Sequence, residues 1–172
     1  GGRNACTLFT EPSAAYVLLH AEPELDCADP VEARAALDAA QFVVMLSPFE
    51  QGKDYADVIL PVCSGLEMET VYMRRDDRGI RWQKAAIPRV GDSKPDWEIW
   101  IDLAHAIAKL DKKNKPDYWS DAFPLEWKDY RKLWTTFVSL TPGMKGMFAE
   151  RMENRSEPLR WPCPGEKHPG VS

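Results

Sequence analysis

A strand–helix–strand spacing in the first half, apolar runs of the kind buried in parallel sheets, and helical periodicity in the second half predict an α/β fold. The expected architecture is a Rossmann-like parallel-sheet domain with a helical C-terminal extension. Residues 1–110 carry the sheet domain and residues 111–172 the extension.

Residues 1–13 are polar and mixed and read as a lead-in or the end of a helix. Residues 14–21 form a near-continuous apolar run rich in β-formers, expected as a strand buried on both faces. The loop from Glu22 to Pro30 holds two prolines. Asp29 before Pro30 is an N-cap and first-turn signal, and the alanine-rich residues 31–41 follow as a helix. Residues 42–46 form a second buried strand, ended by Ser47-Pro48. Gln51-Gly52-Lys53 is a turn, residues 54–57 one helical turn, and residues 58–62 a third strand. Such strands are parallel with a right-handed crossover, and their carboxyl-end loops are where ligands bind. Those loops start at His20 and at Met45 to Pro48.

Residues 66–79 mix acid and base, and residues 81–87 are a candidate strand after the turn at Asp77-Arg78-Gly79. Arg74, Arg75, Arg78 and Arg81 either meet an anion or line a solvated hairpin balanced by its own acids. Ser93 and Asp96 resemble a capping box, with Pro95 in the first turn of a helix. Trp97, Trp100, Ile101, Ala104, Ile107 and Ala108 give it an amphipathic stripe. Trp127, Tyr130, Trp134, Phe137 and Val138 form a second stripe. Residues 144–154 read as a third short helix and residues 159–163 as extended. Cys163, between two prolines, is expected on an exposed turn.

The chain has 172 residues, 44% hydrophobic, with a net charge of -5. That length buries a real core in one domain, or one domain plus an extension. No apolar run reaches the roughly 18–20 residues of a membrane span, and no signal-peptide pattern is visible. The acidic balance speaks against a nucleic-acid surface. With 7 Trp, 6 Phe and 5 Tyr, disorder is excluded. The cysteines Cys6, Cys27, Cys63 and Cys163 are scattered without a C-x-x-C, which favours ordinary thiols over metal ligands and leaves a disulfide framework as the alternative. His20, His105 and His168 belong to no nucleophile–base constellation. Neither catalytic residues nor metal ligands are expected, and a small stand-alone hydrolase is the least favoured class. The compartment stays open between cytoplasm and periplasm.

Three motifs carry a family resemblance. Ala56-Asp57-Val58-Ile59-Leu60-Pro61 resembles the A-D-V-[VI]-L-P segment of the molybdopterin oxidoreductases, the dimethyl-sulfoxide-reductase superfamily. Lys94-Pro95-Asp96-Trp97-Glu98-Ile99 resembles that family's helix start. Leu159 to Pro164, with His168-Pro169-Gly170, is similar to the crossing between domains in formate-dehydrogenase-like members. The resemblance implies the third domain of a catalytic subunit, which holds the nucleotide end of a molybdopterin guanine dinucleotide. The iron–sulfur cluster and metal ligand would lie elsewhere in the parent protein. Other domains of the same subunit, and an iron–sulfur electron-transfer subunit, are the implied partners. The parent reaction would be two-electron redox chemistry at molybdenum or tungsten, with formate oxidation as one form. On this view Gly1-Gly2 and Gly170-Val171-Ser172 look like cut points, and the chain alone is inactive.

Carried over by position, the implied cofactor contacts are His20, Ala21 and Glu22 after the first strand, Met45, Leu46 and Ser47 at the end of the second, and Asp57. His20 stands where the family has glycine, and Met45-Leu46 where it commonly has Gln-Asp. Glu69, Arg81 and Gln83 are what remains of a further family stretch. A pyrophosphate is expected near the helix start at Pro30. The residues from Glu22 to Pro30, and from Leu46 to Phe49, also resemble the large iron–sulfur subunit of bacterial NADH:quinone oxidoreductase, which keeps this fold without a molybdenum cofactor. The competing class is a scaffold module, marked by an exposed apolar patch around Trp119, Trp127 and Trp134.

Overall fold

The computed structural model describes residues 2–111 and 117–171. It is a mixed α/β structure that divides into two compact units: Gly1–Ser64 with Arg89–Asp96, and Gly65–Pro88 with Trp97–Ser172.

The first unit opens with helix α1 (Ala5–Thr10), within the stretch the sequence reads as a lead-in or the end of a helix; Asn4 and Thr7 cap it reciprocally. Then follow β1 (Ala15–Leu19), α2 (Pro23–Asp26), α3 (Pro30–Asp38), β2 (Phe42–Ser47), a 3-10 turn at Gln51–Asp54, and β3 (Val58–Pro61). The strands form a parallel sheet in the order β1-β2-β3, with Val17 opposite Val44 and Val44 opposite Val58. Val62 continues past β3 and pairs in parallel with Lys94, at the far side from β2.

Helix α3 starts where expected. The Asp29 carboxylate accepts from Glu32 N at 2.9 Å, and Pro30 sits in the first turn. Its buried face, Ala33, Ala36 and Leu37, belongs with the core formed by Tyr16, Leu18, Val43 and Met45.

The strands are not buried on both faces. β1 alternates, with Tyr16 and Leu18 buried but Val17 54% and Leu19 40% exposed. Phe42 and Val58 are also exposed. The physical reason lies in the connections. The β1–β2 crossover supplies α3 to one face, whereas the β2–β3 connection holds only a 3-10 turn and no covering helix.

The second unit contains β4 (Thr70–Met73), β5 (Gly79–Gln83), α4 (Asp96–Leu110), α5 (Asp117–Ala122), a 3-10 turn at Leu125–Lys128, α6 (Tyr130–Leu140), α7 (Ala149–Glu153) and β6 (Leu159–Arg160). The sheet is antiparallel, in the order β4-β5-β6. Helix α4 begins at Asp96 and not at the Ser93 capping box. Lys94 is taken up in the parallel pairing with Val62, and the Ser93 hydroxyl lies 3.5 Å from Cys63 Sγ. Ile99, Ile101 and Ala104 are the buried residues of α4, while Trp97 and Trp100 are half-buried.

The core of this unit gathers Ile80, Trp82, Trp134, Val138, Met147, Met152, Leu159 and Cys163. Trp134 buries its ring and donates Nε1–H to Met147 O at 2.6 Å, so the indole leaves no orphan donor. Phe137 is 48% exposed at the edge of the buried face of α6, where its ring lies against Trp134 with the centroids 5.3 Å apart. Trp134 is buried, and Trp119 and Trp127 are half-buried, so these three do not form the exposed patch a scaffold reading anticipates.

The chain after Arg160 folds back instead of extending. Arg151 Nη1 donates to Gly146 O at 2.9 Å and Gly165 O at 3.3 Å, and Nη2 donates to His168 O. Cys163 is completely buried, not on an exposed turn, because Gly146 N donates to its carbonyl and brings residues 143–147 against it. The third helix is likewise shorter than expected: residues 144–148 are not helical, with a turn at Lys145-Gly146, and only Ala149–Glu153 is helical.

Candidate functional site

The carboxyl ends of parallel strands collect chemistry because loops diverge there and leave a crevice. In the first unit this end holds the chain from His20 to Glu22, Ser47, and the start of α4 at Asp96. His20 N donates to Leu46 O at 2.9 Å, which continues the β1–β2 ladder one residue beyond β1. Its φ of +48 turns the chain into the left-handed region. That is the conformation glycine adopts freely, at the position where the resembled family carries glycine.

Glu22 N donates to Asp26 Oδ2 at 2.7 Å, closing the α2 turn. The Ser47 hydroxyl accepts from Phe49 N at 3.0 Å and donates to Glu22 Oε1 at 3.4 Å. Ser47 is 2% exposed, so its hydroxyl is a buried polar group whose bonds are supplied within the loop. His20 Nε2 lies 3.8 Å from Asp96 Oδ2. Sequence reasoning treats Asp96 only as a helix-start residue; nothing in its local spacing signals a partner 76 positions earlier (96 − 20).

The expected contacts therefore separate. His20, Ala21, Glu22 and Ser47 come together. Met45 and Leu46 are fully buried, so their side chains are core. Gly52 packs so closely on Met45 that an added Cβ would lie 2.1 Å from the thioether sulfur. Asp57 lies at the opposite end of the sheet, where its carboxylate accepts from Val43 N at 2.7 Å and anchors the start of β2.

The electrostatics of this end are acidic. Glu22, Glu24, Asp26, Asp29 and Glu32 fall within residues 22–32, with no Lys or Arg among them. Two neighbouring groups register the field. Burial, followed by the charges of Asp26 and Glu24, pushes the Cys27 thiol up. Tyr55 donates to Glu24 Oε2 at 3.2 Å, and its phenol is pushed up to about 12, first by burial and then by Glu24. The sign follows from proton binding. The folded chain holds this proton more tightly, so the associated stability is intact below the ordinary phenol value near 10 and is lost as pH rises toward 12. In alkaline titration at 295 nm, one late tyrosine is expected in the native chain and is expected to vanish in Tyr55→Phe. A native titration curve identical to that of Tyr55→Phe, apart from amplitude, would refute it.

A cofactor fit follows from these groups. Carboxylates and a hydroxyl suit the N–H and O–H donors of a purine base and ribose. A pyrophosphate at the start of α3 does not fit. Asp29 already caps that helix, and the surrounding acids repel a second anion.

The remaining sequence candidates have structural partners. Glu69 accepts from Trp82 Nε1 at 2.6 Å and from Arg131 at 2.9 Å, while Arg81 donates to Ser156 O and Gln83 to Gly65 O. Arg131 also pairs with Glu153 at 3.0 Å and sits over the Trp82 ring. Bonds from Lys84 and then Arg131 hold the Glu153 carboxyl below its usual range. Arg74 of the arginine-rich hairpin pairs with Asp77, which also meets Arg160. His105 Nε2 lies 2.8 Å from Phe123 O, a structural contact. Among the described residues no group of three or more His, Cys, Asp or Glu could hold a metal ion, and no helix is long and apolar enough to cross a membrane. Cys27, Cys63 and Cys163 are free thiols.

Comparison with known proteins gives a consistent answer. The family model for molybdopterin oxidoreductase matches residues 3–106. A Staphylococcus haemolyticus protein named as a formate dehydrogenase is 32% identical over 130 residues, covering 75% of this chain and 12% of that protein. The assimilatory nitrate reductase catalytic subunit of Bacillus subtilis is 30% identical over 145 residues, covering 80% of this chain and 18% of that protein. This chain thus spans well under a fifth of the first relative and just under a fifth of the second. The match covers the parallel sheet, its carboxyl-end loops and the helix start at Asp96, and the chain belongs to the molybdopterin oxidoreductase family.

Proposed function

We propose that this chain is a nucleotide-holding domain of a formate-dehydrogenase-like molybdopterin oxidoreductase, taking the guanosine end of a molybdopterin guanine dinucleotide. The observation that carries the reading is the convergence of His20, Glu22, Ser47 and Asp96 at the carboxyl end of the parallel sheet. Glu22 offers acceptors for base and ribose donors, and the left-handed turn at His20 brings its imidazole beside Asp96. The acid-rich α2–α3 segment directs the phosphates away from α3. When bound, the cofactor supplies two-electron redox chemistry at its metal, and this chain's residues contribute binding and orientation only. Its partners would be the other domains of the subunit and an iron–sulfur electron-transfer subunit, with the iron–sulfur cluster carried outside this chain.

Titration of the purified chain with guanosine monophosphate by calorimetry tests this. Saturable binding is expected with a dissociation constant on the order of 1 mM or tighter, about 4 kcal/mol. The absence of binding at several-fold higher nucleotide would reject it. A second reading rests on the same acids. A cofactor-free structural domain, of the kind in the large iron–sulfur subunit of NADH:quinone oxidoreductase, has no need to accommodate a phosphate beside Glu22, Glu24, Asp26 and Asp29. Failure of the titration favours that reading.

A further inference from the structure

Among the described residues, two that are not glycine have positive φ, His20 and Arg78. Arg78 is accounted for by the tight turn between β4 and β5. His20 is not in a hairpin. It follows a parallel strand, where glycine would take the same backbone conformation without steric strain. A bulky side chain held in this strained conformation points to a use for that side chain.

The contact made by the imidazole shows what the use is. Because the order is β1-β2-β3 with Lys94 beyond β3, the His20–Asp96 pair reaches from the end of β1 across the ends of β2 and β3 to the start of α4. The imidazole is 37% and the Asp96 side chain 29% exposed, so the pair is held in place yet open to solvent. Ser47, the last residue of β2, and Glu22, in the loop after β1, are hydrogen-bonded to each other.

We propose that Asp96 is a positioning residue of the nucleotide site: it holds the His20 imidazole across the carboxyl end of the sheet as a stacking surface for a purine base. This rests on the nucleoside-binding reading of that site. An aromatic ring offers its face to a base at little cost in ordering when its orientation is set beforehand.

The test uses the whole chain with guanosine monophosphate, read by calorimetry, thermal denaturation and the His20 ring proton signals in NMR. His20→Gly is expected to keep or raise the melting temperature, because it relieves the left-handed strain, while weakening nucleotide binding about tenfold. Asp96→Asn is expected to weaken binding about fivefold, with Asp96→Glu restoring most of it. In the parent chain the His20 ring signals should move upfield on saturation with nucleotide. Three results would overturn the proposal: wild-type affinity in His20→Gly, a clear fall in its melting temperature, or ring signals that ignore the nucleotide. If the parent chain binds and the variants bind equally, the positioning role fails and the nucleoside reading stands. If the parent chain binds nothing, both fail together.

Discussion

Gly146→Ala is expected to destabilise the second unit by about 3 kcal/mol, at the upper end of what overpacking a filled site costs. An added Cβ would lie 2.2 Å from Gly165 O and 2.6 Å from Cys163 Sγ, with Gly165 C only slightly farther away. Two of these three atoms are backbone, so no rotamer change relieves the clash. The carbonyl of Gly146 also accepts from Arg151, whose guanidinium gathers Gly165 and His168 as well. Displacing Gly146 therefore loosens several bonds that hold the returning chain. In thermal denaturation followed by tryptophan fluorescence the midpoint should fall by roughly 10 °C. All 7 tryptophans lie in this unit, so the probe reports it directly. Gly65→Ala is the control, since its Cβ would meet nothing within 4 Å, and it should move the midpoint by no more than a degree or two. A midpoint for Gly146→Ala equal to that of the control would show that the tail does not pack there.

The fold was legible where local chemistry decides. The apolar runs before His20 and Ser47 became parallel strands, and Asp29-Pro30 started its helix, because side-chain capping and a fixed proline φ act within a few residues. Ser93 shows the limit. Its capping pattern is locally sound, but the backbone of Lys94 is claimed by the strand end at Val62, and the helix waits until Asp96. The periodicity that flags Trp97 and Phe137 as core finds the helices. It does not find which flank is covered, since that depends on neighbours distant in sequence.

The candidate site divides in the same way. His20, Ala21, Glu22 and Ser47 could be listed from strand ends alone, because parallel sheets place ligands there. The side chains of Met45 and Leu46 were beyond that rule. Met45 packs into the α3 core and against Gly52, and Leu46, on the opposite face of β2, is also fully buried. Asp57 sits in the most recognisable motif, yet its carboxylate is engaged at the other end of the strands. Asp96 had to be met in three dimensions.

The largest expected effect in the first unit comes from its one-sided core. The α3 face of the parallel sheet is fully sealed: Leu37 is 1% exposed, among Tyr16, Leu18, Val43 and Met45, while on the other face Leu46 is buried but Val17 and Phe42 remain half exposed. With a single sealed face, each large side chain there carries a bigger share of the hydrophobic stabilisation than it would in a sheet covered twice. Leu37→Ala removes buried methyl groups and leaves a cavity beneath the strands, a change worth about 3 kcal/mol or more. Val31→Ala lies on the same helix at 78% exposure and should change stability by less than about 0.5 kcal/mol. Urea denaturation followed by amide exchange of β1 and β2 separates the two variants, because those strands report the first unit alone. A loss below about 1 kcal/mol for Leu37→Ala would mean that the sheet draws its stability from somewhere other than the α3 face.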